Sequence, residues 1–340
     1  MGEEELFPAP FLHKGGERAQ LFSSHNRKTV SRHFAWMEEH GIDGVFLQRF
    51  GSSLRSPKVR AHRNTVTANV RAGAKEHGRS WAMMYDLSGL RPGEIESVVM
   101  EDWSFLSGDL KITADANYQR HRGKPLVAVW GVGFAGPGRK YELDECERLV
   151  DFLRAKGNAV MLGVPSRWRT LRGDAVGDEA LHRIMAKADV ISPWTVGRYG
   201  TPRAAAKFAE GFVRADIAWC KEHGVDYLPV AFPGFSWHNL KRVRGQEAPL
   251  DQIPRLGGRF LWSQARAFKG EGAKMLYVAM FDEVDEGTAI FKCTNDPPVG
   301  DSPFLTYEGL PSDHYLWLTG QIAQLFRGQL AATEDPPVRR

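Results

Sequence analysis

Short apolar runs recur along the chain, each closed by Gly, Pro, Ser or Asp. They are GVFLQRF (44–50), WAMMYDLS (81–88), LVAVWGVG (126–133), AVMLGVPS (159–166), DVISPWTV (189–196), DYLPVAFPGF (226–235) and MLYVAMF (275–281). Runs of this kind, apolar throughout rather than alternating, predict strands buried on both faces. Between them lie amphipathic stretches. In ELDECERLVDFLRAKG (142–157), Leu143, Cys146, Leu149, Val150 and Leu153 recur at helical spacing, and Gly157 suits the position just past the helix. In 201–224, Thr201 is a good N-cap, Pro202 fits the first helical position and Gly224 closes the helix. A further helix is predicted near 314–327.

Strand and helix therefore alternate, and parallel strands need such crossovers. An open doubly wound sheet would satisfy the pattern, but seven units point to an α/β fold of the (β/α)8 TIM-barrel type. The count is one strand short. The missing strand should precede residue 20, where only EEELFPAPFL is apolar enough; otherwise the first strand is irregular or absent. The expected organisation is an N-terminal segment 1–19 of uncertain structure, one barrel domain over 20–328, and a disordered tail over 329–340. Residues 294–313, rich in turn formers, read as an ordered loop.

Composition narrows the class of protein without naming it. With 340 residues, 42% hydrophobic and 25% charged, the chain can build a large core without staples. A net charge of +4 with no dense Lys/Arg stripe argues against a nucleic-acid partner. The densest basic run, RSPKVRAHR (55–63), reads as a solvated helix start. Cys146, Cys220 and Cys293 are odd in number and far apart, so no disulfide framework or CxxC site is expected. No apolar stretch reaches the ~20 residues of a membrane helix. The opening MGEEELFPAP lacks the apolar core of a secretory leader, so the sequence as it stands reads as cytoplasmic. Oligomeric state is not legible.

In a barrel, strand C-termini and the loops after them carry the chemistry. Here those positions hold Gln48 and Arg49; Tyr85 and Asp86; Trp130; Trp194 followed by Arg198 and Tyr199; and Phe235, Trp237, His238 and Asn239. Aromatic rings beside polar groups suit a sugar, whose C–H faces stack and whose hydroxyls take hydrogen bonds. The bland alternative is that the tryptophans pack in the core.

The last apolar run ends in FDEVDEGTAIF, with acids at Asp282, Glu283, Asp285 and Glu286. Crowded carboxylates repel one another, which raises the proton affinity of at least one, as a general acid at neutral pH requires. Glu283 and Glu286 are three apart and can face one cavity from a tight turn. Asp282 and Asp285 would then orient the loop through cap or Asx-type bonds. An exposed acidic helix start is the bland alternative.

Several tempting motifs fail on their context. Gly131-Val132-Gly133-Phe134-Ala135-Gly136 matches G-x-G-x-x-G, but Pro137-Gly138 interrupts it, and the next strand ends without an acid. The stretch from Asp282 departs from an EF-hand at Val284 and at Cys293. No HExxH or GxSxG occurs. No cofactor is expected, although Asp282, Glu283 and Asp285 leave a metal-dependent reading open.

PVAFPGFSWHNL (229–240), GGRFLWSQ (257–264) and VAMFDEVDEGTAIFK (278–292) together resemble the glycoside hydrolase family 71/99-like proteins, whose best-known branch is the family 99 endo-α-1,2-mannosidases. The resemblance runs from about Ser24 to about Arg327, and it implies a (β/α)8 barrel, an oligosaccharide or polysaccharide partner and no cofactor. It also implies a retaining hydrolase in which the sugar's own 2-hydroxyl attacks C1 through a 1,2-anhydro intermediate. By the motif, Glu283 would be the base on that hydroxyl and Glu286 the general acid/base. Trp262, within the second motif, joins the candidate substrate contacts. The family's first strand is not recognisable in this sequence. A glycan-binding barrel with weak or no turnover remains the reading from another class.

Overall fold

The computed structural model describes residues 1–136 and 138–339. Pro137, expected to interrupt the glycine triplet, lies outside the described residues. The strands in chain order are β1 (Leu6–Leu12), β2 (Arg18–Phe22), β3 (Gly44–Phe50), β4 (Ser80–Asp86), β5 (Arg120–His121), β6 (Lys124–Trp130), β7 (Ala159–Pro165), β8 (Val190–Trp194), β9 (Asp226–Tyr227), β10 (Val230–Ala231) and β11 (Tyr277–Val278). The chain divides into two compact units. One comprises Asp43–Trp194 and Ala215–Leu228; the other comprises Met1–Ile42, Thr195–Arg214 and Pro229–Arg340.

The first unit holds a parallel sheet in the order β3-β4-β6-β7-β8-β9, with β5 antiparallel on β6. Every residue of β7 is buried, as a central parallel strand covered on both faces requires. The crossover helices begin and end where local chemistry dictates. Ser56 Oγ caps the helix Pro57–Glu76 by accepting from Val59 N at 3.4 Å, and Pro57 stands at its first position. The helix Leu143–Ala155 buries Cys146, Leu149, Val150 and Leu153, and Gly157 follows with φ +81°. That left-handed conformation is why glycine stands there. Among the described residues no helix opens between the glycine triplet and Leu143, which argues against the dinucleotide reading.

The second unit contains a β1–β2 antiparallel hairpin and the parallel pair β10–β11. The N-terminal segment thus folds on itself instead of supplying the missing barrel strand. Pro8 and Pro10 offer no N–H to a ladder, and the register shifts between Pro8 and Leu12. The run expected as one strand over 226–235 is split into β9 and β10. Its break falls at Leu228-Pro229, where proline again lacks a donor. Thr201 Oγ1 accepts from Ala204 N at 3.1 Å and starts the helix at Pro202. The loop 294–313 is ordered by Asn295, whose Oδ1 accepts from Tyr307 N at 3.0 Å and whose Nδ2 donates to Leu310 O at 2.8 Å. Helices Arg259–Gly270 and His314–Phe326 pack together, burying Phe260, Leu261 and Phe268 on one and Tyr315, Leu316, Leu318 and Leu325 on the other. The tail expected to be disordered is held by contacts: Thr333 O accepts from Trp262 Nε1 at 2.9 Å, and Arg339 pairs with Asp313. Among the described residues no helix is long and apolar enough to cross a membrane.

Candidate active site

The acidic loop follows β11 as a compact turn. Met280 N donates to Thr288 O at 3.1 Å, and Thr288 N to Glu283 O at 3.2 Å, closing the base of the turn. Gly287 N donates to Val284 O at 3.2 Å, folding Asp285 and Glu286 into its tip. Gly287 has φ +67°, a backbone conformation that favours glycine, and a Cβ there would lie 2.7 Å from the end of the Leu305 side chain, which would have to move aside. The turn is pinned from outside as well. Ser236 N donates to Glu286 O at 2.7 Å. Arg255, 3% exposed, donates through Nη2 to Gly287 O and Ala289 O, both at 2.8 Å. Its guanidinium lies over the Tyr307 and Tyr315 rings, and the Tyr307 hydroxyl donates to Phe291 O at 2.6 Å.

The glutamates are unequal. Glu286 is half-buried, and its carboxyl is pushed up to about 7, first by burial and then by the charges of Glu283 and Asp285. Glu283 is also raised by burial, but the Asp285 N–H, 3.0 Å from Glu283 Oε1, works against that rise. Repulsion among the acids has the expected sign and is the smaller cause; loss of water around the carboxyls is the larger. Asp285 does orient the loop: its Oδ1 accepts from Asn239 Nδ2 at 2.8 Å. Asp282 is open to solvent although protein atoms crowd around it, and that crowding raises its carboxyl. Among the described residues no group of three or more His, Cys, Asp or Glu is placed to hold a metal ion.

The neighbouring candidates in the same unit separate into two kinds. Trp237 and His238 are half-buried. Trp237 meets Phe235 edge-on at 4.7 Å. His238 Nδ1 lies 2.7 Å from Ala248 O, a carbonyl that only a donor can satisfy, which leaves Nε2 as the acceptor. Asn239 is 5% exposed and serves the loop rather than a ligand. Tyr199, expected to meet substrate, is 7% exposed, and its hydroxyl donates to Gln264 Oε1 at 3.1 Å. Trp262 is fully buried on its helix. Both are core residues, a correction to the expected substrate contacts.

Strand alternation sorts the candidates of the other unit. Gln48 Nε2 donates to Asp86 Oδ2 at 2.8 Å, and Ser88 N to Asp86 Oδ1 at 2.7 Å. The directly paired Arg49 and Tyr85 turn to the opposite face. Arg49 Nη2 and the Tyr85 hydroxyl both reach Asp102, each at 2.7 Å, and Arg49 also meets Asn64 at 2.7 Å. Arg49 is 1% exposed and Tyr85 not at all, so neither touches a ligand, contrary to expectation. Trp130 and Trp194 are half-buried and edge-on at 5.5 Å. Arg139 was not among the expected contacts. It lies 5.0 Å over the Trp130 ring and 4.4 Å over Phe134, donating to Gly131 O and the Tyr141 hydroxyl.

No family model and no curated protein matches the sequence. Solved structures do match the fold. The GH99 endo-alpha-mannosidase from Bacteroides thetaiotaomicron superposes with a TM-score of 0.63 at 17% identity, over 94% of this chain and 84% of that one. Its complex with bis-tris-propane gives 0.62 at 17% identity, over 94% and 88%. GH5_18 from Streptomyces cattleya, in complex with GlcNAc, gives 0.52 at 10% identity, over 90% and 76%. The fold class these likenesses show is α/β, of the (β/α)8-barrel type. Within that class the chain is similar in fold to the GH99 endo-alpha-mannosidase.

Proposed function

We propose that the protein is a retaining glycoside hydrolase acting on an α-linked, mannoside-like glycan with a free 2-hydroxyl. The observation that carries this reading is the inequality of Glu283 and Glu286 on one pinned turn, with the Glu286 carboxyl at about 7. A carboxyl poised there can give a proton and take one back near neutrality. Glu283, with an N–H on its Oε1, is the better base.

In the first step Glu283 takes the proton of the 2-hydroxyl, and that oxygen attacks C1. The bond from C1 to the leaving oxygen breaks, and Glu286 protonates that oxygen. In the second step Glu286 takes a proton from water, whose oxygen attacks C1. The C1–O2 bond of the anhydro sugar opens, and Glu283 returns the proton to O2. Two inversions at C1 give net retention. Ordinary retaining enzymes set two carboxyls ~5–5.5 Å apart across the scissile bond, one of them as nucleophile. Two acids from one turn are easier to reconcile with one acid addressing the 2-oxygen. Trp237 and His238 are the candidate sugar contacts beside the pair. Taken by itself, the other unit leaves Trp130, Trp194 and Gln48 exposed enough to meet a ligand, whereas Asp86, 3% exposed and bonded to Gln48 and Ser88, is a core residue, a correction to the expected contact. The catalytic unit is proposed to span 20–328.

The test is turnover, followed by NMR, on a panel of α-linked manno- and gluco-oligosaccharides, with Glu286→Gln beside the native protein. Product appearing first as the α-anomer, and only with the native protein, supports the reading. Ligand-induced shifts without turnover would replace it with a glycan-binding role.

A further inference from the structure

Asn239 is buried, yet it is not a passive core residue. Its Nδ2 donates to Asp285 Oδ1 at 2.8 Å and to Pro303 O at 3.0 Å. Both partners are acceptors, so the amide can face them only with its nitrogen, and its orientation is fixed. Its Oδ1 is buried and finds no hydrogen-bond partner among the described residues. Leaving a buried acceptor unmet costs about 1–3 kcal/mol. An apolar residue of the same size would pack there without that cost, so the donor is the reason for asparagine.

That donor acts on the catalytic turn through one residue. Asp285 is tied to Asn239 by its carboxylate and to Glu283 by its backbone N–H. We propose that Asn239 is a positioning residue for the acid pair. By holding the Asp285 carboxylate it aims the Asp285 N–H at Glu283 and not at Glu286, and that one-sided contact keeps the two chemically unequal; the Asp285 charge lies beside both and does not separate them. This rests on the reading of Glu283 as base and Glu286 as acid.

The other charged groups around the turn do not perform this task. Glu283 meets Asp282 and Asp285, and Glu286 meets Glu283 and Asp285. On the helix His238–Val243, Arg242 reaches Ser302 and Asp301, and His238 faces Ala248 O. Arg255 gives its Nη2 to the carbonyls of Gly287 and Ala289. None of these groups supplies a donor to the Asp285 carboxylate.

Two variants test the proposal: Asn239→Leu, which removes the donor at similar volume, and Asp285→Asn, which removes the charge. The first readout is a carboxyl titration by NMR on protein labelled at the glutamate side-chain carbons, assigned with Glu283→Gln and Glu286→Gln. The second is the pH dependence of turnover. In Asn239→Leu, Glu283 should titrate higher, narrowing its gap from Glu286 by roughly one pH unit. The acidic limb of turnover should rise with it, and kcat should fall more than KM. In Asp285→Asn both glutamates should titrate lower, and the basic limb should move down. Folded variants whose glutamates titrate as in the native protein would overturn the proposal. Should Asn239→Leu fail to fold, Asn239→Ala, which also removes the donor, is read by the same titration and decides by the same criterion. The titration needs no substrate. An unequal pair that responds to these variants without turnover would refute the hydrolase reading and leave the positioning role standing.

Discussion

Replacing Glu286 with Gln removes an ionisable carboxyl and leaves a neutral side chain of nearly the same shape. In the folded chain this carboxyl stands at about 7 against an ordinary 4.5, chiefly because it is buried. Between those two values the folded chain binds more proton on this group than the unfolded chain does. Stability therefore falls as pH rises through that window, and the full penalty is present above it. The difference between 4.5 and about 7 is about 2.5 pH units, which at ~1.4 kcal/mol per unit gives an upper bound of roughly 3.5 kcal/mol. Water reaching a half-buried carboxyl reduces this to about 2 kcal/mol. Glu286→Gln should therefore gain about 2 kcal/mol on the native protein between about pH 4 and about pH 8. Urea unfolding of both proteins across that range, with thermal scans in parallel, reads the difference. A stability difference that stays flat with pH, or one that turns against the variant as pH rises, would refute the assignment of a raised carboxyl to Glu286.

The same variant should lose turnover by about 10²–10⁴-fold, as should Glu283→Gln, with circular dichroism unchanged; an active double variant would move the chemistry elsewhere. Turnover should be the same with and without EDTA, and loss on chelation with recovery on adding a divalent cation would transfer the acids to metal binding. Arg49→Met should destabilise by ~3–5 kcal/mol by leaving Asp102 buried and unpaired, and Arg49→Met with Asp102→Leu should recover part of it; denaturant titration checks both. Trp262→Phe should cost about 1 kcal/mol through the lost bond to Thr333 O and leave KM unchanged, which steady-state kinetics would show.

How far the sequence could be read depended on the range of the interaction. Caps and turns are local, so Ser56-Pro57, Thr201-Pro202 and Gly157 mark helix ends in sequence and structure alike. Strand alternation is equally local, and it bears on the strand-end candidates. Gln48 with Arg49, and Tyr85 with Asp86, are neighbours in strands and must point to opposite faces. Only one member of each pair could face the same side. Arg49 and Tyr85 go to the helix side because Asp102, on the helix Glu101–Ser104, meets both. No feature of 44–50 or 80–86 announces that partner. The hairpin over 6–22 was likewise hidden, because its two strands pair with each other while the pattern sought a barrel strand.

The acid loop shows the same division within a single site. Four acids in five residues announce a shared perturbation, and the sign of that perturbation follows from charge alone. Its cause does not. Burial outweighs repulsion for both glutamates, and burial is set by what packs on the turn. Glu283 differs from Glu286 in accepting the backbone N–H of Asp285, whose carboxylate is bonded to a residue 46 positions earlier in the chain. Asn239 stood in the sequence as a polar residue after two rings, which reads as a sugar contact. Placed against Asp285, it holds the acidic turn instead. The chemistry of this site is therefore local in composition and long-range in control. Asn239 through Asp285, and Arg255 through the carbonyls of Gly287 and Ala289, hold the turn that carries the two glutamates.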